Sequence, residues 1–104
     1  METAEKLAFS YNWNNKLDCK AFTTVRIDNS KYQVGGYVEV SLNGKHHSDC
    51  KIIDKKTVLF TQFNEFMAHI DTGYSLDEFK GILKKMYKEA EKQTYCILLL
   101  KKLT

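Results

Sequence analysis

The chain predicts an α+β domain whose elements run β-β-β, then α-α, then β. Three features carry that expectation. Apolar residues alternate with period two through the first half, as in Leu7, Phe9 and Tyr11 or Val38, Val40 and Leu42. From Phe63 the spacing changes to i, i+3, i+4, i+7, the repeat of a helix with one apolar side. At the end, Tyr95 to Leu103 returns to a leucine-rich run of strand length. With 104 residues and no repeat or linker, the chain forms one domain, 1–104. A chain of that size withdraws about 65% of its unfolded surface from water and needs no disulfide to fold.

Composition narrows the function classes. Apolar residues make up 43%, charged residues 28% and aromatic residues 12%, which excludes collagen-like, coiled-coil and disordered chains. Sixteen Lys plus Arg against thirteen Asp plus Glu leave a net charge of +3, enough only for a local anionic contact. Arg26 is the sole arginine. The other cations are lysines, flexible point charges that recognise planar anions poorly. The three cysteines, Cys19, Cys50 and Cys96, are odd in number and contain no Cys-x-x-Cys pair. With no apolar leader at the N-terminus, the expectation is a reduced, cytoplasmic protein, monomeric by default. No run reaches the roughly 20 apolar residues of a membrane span.

Taken in order, residues 1–5 read as a frayed leader, followed by a first strand through Leu7, Phe9 and Tyr11. Asn12 suits an N-cap, and Trp13, Lys16, Leu17 and Lys20 recur at helical spacing, so a short helix is expected there. Trp13 reads as a core anchor, with a stacking surface as the functional alternative. In the strand Lys20 to Arg26, the positions Ala21, Thr23, Val25 and Ile27 suit a core. Lys20, Phe22, Thr24 and Arg26 then present an ammonium, a ring, a hydroxyl and a guanidinium on the opposite face, at about 6.6 Å intervals. Such residues are also ordinary on the wet side of a half-buried strand.

Asp28-Asn29-Ser30 and Gly35-Gly36 are turn chemistry, and Asn43-Gly44 marks a hairpin between the Val38 strand and one from His46 to Ile53. A further β segment is expected at Thr57 to Phe60. Thr61 can cap a helix whose core side is Phe63, Phe66, Met67 and Ile70. Ser75 to Glu78 is a capping box, followed by a helix with Leu76, Phe79, Ile82, Leu83, Met86 and Tyr87 on one side.

Among chemical motifs, His46, His47 and Cys50 invite a zinc site. Adjacent histidines on a strand point apart, however, and no second ligand pair stands at standard spacing, so no metal is expected. There is no glycine-rich phosphate loop, nucleophile elbow or His-Glu-x-x-His, and no cofactor is expected. What remains is a lysine that could activate a hydroxyl or water, a threonine, an arginine and a carboxylate.

The aromatic first strand, the short helix, the Lys20 to Arg26 strand, the Gly turn before Val38-Glu39-Val40, the helix starting Ser75-Leu76-Asp77-Glu78-Phe79-Lys80, Met86-Tyr87 and the terminal apolar strand together resemble the ASCH domain family. That family belongs to the PUA-like β-barrels. The resemblance runs from about Leu7 to Leu103. It implies a small mixed PUA-like barrel of about five to six strands, with a short N-terminal helix and two helices before the last strand. It also implies a cleft for RNA or a nucleoside- or nucleotide-like ligand. Small bacterial members are amidohydrolases that deacylate N4-acetylcytidine. The family's Lys-x-x-Thr-x-Arg spacing is one residue longer here between Lys20 and Thr24, which a bulge near Phe22 would absorb. Thr23 has the family spacing but the opposite face. Where the hydrolases carry a Glu, this chain has Thr72, with Asp71 the nearest acid.

Three functions follow from these residues. The first is a binding module in which Lys20, Thr24 and Arg26 line the cleft, with Phe22, Trp13 and Thr23 as further contacts. The second is an amidohydrolase with Lys20 as activator, Thr24 as nucleophile or water holder and Asp71 as acid/base. The third is a non-catalytic interaction domain.

Overall fold

The fold is read from a computed structural model that describes residues 5–103. All but the last residue of the expected leader, residues 1–4, lie outside that range; Glu5 itself opens the first strand. Among the described residues, five strands form one sheet: β1 (Glu5–Phe9), β2 (Ala21–Ile27), β3 (Tyr37–Leu42), β4 (Lys45–Leu59) and β5 (Thr94–Lys102). Their order across the sheet is β1-β3-β4-β5-β2. The β1–β3 pair is parallel and the other neighbours are antiparallel, so the sheet is mixed, and it curls into a half-barrel. Helices α1 (Glu65–Thr72) and α2 (Leu76–Met86) precede β5, and a 3₁₀ segment, Trp13–Asp18, joins β1 to β2. The molecule is therefore α+β, with two helices between the early strands and the last one as the sequence periodicity indicates, but four strands rather than three precede the helices.

Each element has a local cause. Asn43 and Gly44 both adopt positive φ, 52° and 81°, which is what a two-residue hairpin between β3 and β4 requires. β4 is one continuous strand rather than two segments. Its register with β5 shifts between Ile52 and Asp54, so Ile53 is an extra residue that lets the strand bend without ending. Asn64, not Thr61, caps α1 by accepting from the Met67 N–H at 2.9 Å. Phe60–Gln62 is a separate 3₁₀ turn that ends before the helix begins. Ser75 caps α2 as expected, its Oγ accepting from the Glu78 N–H at 3.3 Å. Glu65 ties the two helices together by accepting from the Leu76 N–H at 2.7 Å.

The core lies on both faces of the sheet. On one face Leu7, Phe9, Leu17, Phe22, Val38, Val40, Ile52, Leu98 and Leu100 pack together. On the other, Val25, Val58 and Tyr95 meet Phe60, Phe63, Phe79 and Leu83 from the helical layer. Consequently β2 is not divided into a core side and a wet side. Phe22 and Thr24 are buried on one face, Val25 on the other, and Ala21 is exposed where no helix covers it. Strand β5 is paired on both sides, with β4 and β2, which accounts for its run of leucines.

Candidate functional site

β2 is an edge strand, and the 3₁₀ segment and the end of α1 close over its open side. The turn that makes this possible is built from two asparagines. Asn14 and Asn15 sit at φ 56° and 55°, a left-handed conformation that asparagine tolerates better than most residues. The Asn12 carboxamide oxygen accepts from the Leu17 N–H at 2.9 Å and fixes the segment from within. Gly73 ends α1 at φ 80°, and a Cβ there would stand 3.1 Å from the Asn14 side chain. Glycine is therefore required twice, for its backbone angle and for the close approach of α1 to the 3₁₀ segment.

This packing buries an ionic cluster. Lys16 Nζ donates to Asp71 Oδ1 at 2.9 Å, although the two residues are 55 positions apart. The Thr23 hydroxyl donates to the same oxygen at 3.1 Å. Lys16 and Asp71 are each only 6% exposed. Burial pushes the Lys16 ammonium below the usual lysine value; the Asp71 charge and hydrogen bond oppose the drop, and Arg26 adds to it. On the neighbouring face, Arg26 Nε donates to Thr24 Oγ1 at 3.1 Å. The Arg26 guanidinium lies 4.5 Å from the centre of the Phe9 ring, and Lys16 Nζ lies 5.6 Å from it. Phe9 thus faces two cations with its electron-rich ring.

These groups surround one cavity of about 130 Å³, lined by Phe9, Trp13, Lys16, Thr24, Arg26 and Asp71 among others. Trp13 also borders a shallow groove with Tyr74, Gly81 and Lys85, and its ring meets Tyr74 edge-on at 5.8 Å. The tryptophan is half-buried at the cavity mouth, more a wall than a core anchor.

The expected site residues divide as follows. Thr24, Arg26, Asp71 and Trp13 come together at the cavity. Thr23 reaches the cluster through Asp71 but lines a different groove, beside α1. Phe22 is buried in the core, edge-on to Phe9 at 6.4 Å. Lys20 is exposed and does not line the cavity; its carbonyl accepts from the Lys102 N–H at 2.8 Å. No bulge occurs near Phe22, because β2 pairs with β5 in unbroken register from Ala21 to Ile27. The amine in the cavity is that of Lys16, which sequence spacing placed in the scaffold. Its only local signal was a lysine between Trp13 and Leu17, on the side of the turn that packs inward. Phe9 likewise read as plain core, since a cation over its ring is visible only in three dimensions.

Thr72 is structural, its hydroxyl donating back to the Ala68 carbonyl at 2.9 Å. His46 is bonded to Asp49 and His47 contacts Ser48, and no group of three metal-ligating side chains forms among the described residues. Cys50 and Cys96 are buried, with thiol pKa values pushed up by desolvation, so they behave as small apolar residues. No helix among the described residues is long and apolar enough to cross a membrane. Compared with family models, curated proteins and solved structures, the chain matches none.

Proposed function

We propose that this chain is an ASCH-like domain of the PUA-like class and that the cavity binds a nucleoside- or nucleotide-like ligand, or an unstacked base of an RNA segment. The observation that supports this reading is the convergence of Trp13, Arg26, Thr24, Lys16 and Asp71 on one small cavity. A base needs an aromatic wall along its plane and both donors and acceptors at its edge. Trp13 supplies the wall. Arg26 spends its Nε on Thr24 and keeps its terminal nitrogens, while Thr24 accepts that bond and keeps its own proton to donate. Both bonds to Asp71 fall on Oδ1, so among the described residues Oδ2 is left to accept from a ligand amine. A volume of about 130 Å³ is the scale of one ring system rather than of an oligomer. An RNA would therefore insert a single base and leave its phosphates to surface lysines.

Calorimetric titration with cytidine, cytidine monophosphate and a short pyrimidine RNA at low and high salt tests this. Nucleoside affinity is expected to survive high salt, RNA affinity to fall with it, and Arg26→Gln to weaken both. Absence of any nucleoside binding at millimolar concentration would remove the proposal.

One observation favours a second reading, hydrolysis of an N4-acylated cytosine. Lys16 is a buried amine whose proton is held less tightly than usual, and it shares the cavity with the Thr24 hydroxyl. In its neutral form it would take the proton from Thr24 or from water as that oxygen attacks the acyl carbonyl, with Asp71 orienting it, and would return that proton to N4 as the bond between the acyl carbon and N4 breaks. The cytosine amine leaves, and the acyl group departs as the acid, directly when water attacks or by hydrolysis of the Thr24 ester. The activating role then belongs to Lys16 rather than Lys20. Absorbance loss from N4-acetylcytidine that disappears in Lys16→Met but persists in Lys20→Ala would establish it. No turnover at high enzyme concentration would leave binding alone.

A further inference from the structure

Helix α1 carries an apolar side that the fold does not use. Phe66 is 73% exposed and Ile70 47% exposed, whereas Ala68 on the same helix is fully buried. Together with Met67 they border a groove of about 190 Å³ whose floor is Ile97 and Leu99 of β5 and Thr23 of β2. This strip of sheet continues the face that Phe63 and Phe79 cover further along, but there the helical layer stops short. The groove lies on the far side of β2 from Thr24 and shares only Thr23 with the cluster described above.

Its rim is basic. Lys101 stands two residues beyond Leu99 on the same face, and Lys56 stands across from Ile97. Lys51, across from Lys101, holds its amine over the Tyr37 ring at 5.8 Å. Asp54, across from Leu99, is the acid among them. Lys55 also borders the groove, but its amine is turned to Asp28 at 3.0 Å and to the Tyr32 carbonyl at 2.8 Å. Glu65, at the start of α1, already accepts from Leu76 and pairs with His69 at 3.3 Å.

We propose that this groove docks a segment of a partner protein that presents bulky apolar side chains flanked by Asp or Glu. The apolar floor and Phe66 take the side chains, and Lys56 and Lys101 take the carboxylates. A second copy of this chain fits less well, because a two-fold contact through the same face sets its lysines against an identical set.

The test uses the full chain and a synthetic amphipathic peptide of about four helical turns, with Leu and Phe along one side and Glu beside them. Fluorescence anisotropy is expected to show binding that weakens with salt, and at least about ten-fold weaker binding of the counterpart with Lys in place of Glu. Phe66→Asp and Ile70→Lys, both at exposed positions, are each expected to reduce affinity about ten-fold with an unchanged melting temperature. No binding of the Glu peptide at millimolar concentration, equal binding of the Lys peptide, or unchanged binding in both variants would overturn the proposal. So would a dimer in sedimentation that Phe66→Asp dissociates, since a second copy would then be the occupant.

Discussion

The cavity beside Lys16 and the groove beside Phe66 flank the same strand and draw on the same eight-residue helix, yet they are built in opposite ways. In the cavity, charged groups are taken out of water and held by one another; Lys16, Thr23 and Asp71 meet at a single carboxylate oxygen. In the groove, apolar groups are left in water, with Phe66 and Ile70 facing outward and lysines beside them. Asp71 follows Ile70 directly in the chain, so one helical step separates the two environments. The contrast identifies where the fold is committed and where it is open. Burying an ion pair is costly unless both members are present, so the cavity is part of the structure's stability. Exposed apolar side chains contribute little to folding, so the groove can be changed without unfolding the chain.

Breaking the buried side of this comparison has the largest expected effect. Asp71→Ala leaves Lys16 without its partner and is expected to cost about 3–5 kcal/mol. The double change Lys16→Met with Asp71→Leu is expected to recover most of that stability while abolishing ligand binding. Urea unfolding with nucleoside titration in parallel checks both. Recovery of binding in the double variant would show that the pair only supports the fold. Phe79→Ala removes a fully buried ring from the covered part of the helical layer and is expected to cost a similar amount, about 3–5 kcal/mol.

The pH dependence sharpens the same point. The folded pKa of Lys16 lies below that of an unfolded lysine, about 10.4, so between the two values the unfolded chain binds more protons. Stability attributable to this group therefore rises with pH across that alkaline window, by at most about 1.4 kcal/mol per pH unit. Lys16→Met is expected to remove the rise, and a slope unchanged in that variant would assign it to other groups.

Smaller effects belong to the surface. Gly81 lies inside α2, and a Cβ there would meet nothing within 4 Å, so Gly81→Ala is expected to stabilise the chain by about 1 kcal/mol through helix propensity alone. The smallest change is expected for Phe66→Ser, within about 0.5 kcal/mol of wild type by thermal unfolding. A loss comparable to that of Phe79→Ala would mean that the groove is packed in solution, and the comparison between the two regions would fail.

Much of the architecture was legible because it is local. The Asn43-Gly44 turn, the Ser75 cap and the leucine-rich last strand each depend on residues within a few positions of one another. The faces of the elements were less legible. Phe63, Phe66, Met67 and Ile70 have helical spacing, but α1 starts after Phe63, and only Phe63 is fully buried among the four. Periodicity reports which residues share a side, and whether another layer covers that side depends on how far the layer extends. The same limit governed β2, whose two faces are both partly covered.

By itself, the sequence determined the α+β class, the hairpin, the Ser75 cap of α2 and the set of polar residues on β2, because these follow from spacing, turn chemistry and backbone preference over short stretches. Only the tertiary structure decided which lysine serves the cavity. Lys20 has the strand position, but Lys16 has the burial and the carboxylate, through a contact spanning 55 residues that no local pattern encodes. Two left-handed asparagines and a glycine without a side chain bring the 3₁₀ segment against α1, and that approach turns a separate lysine and aspartate into a site.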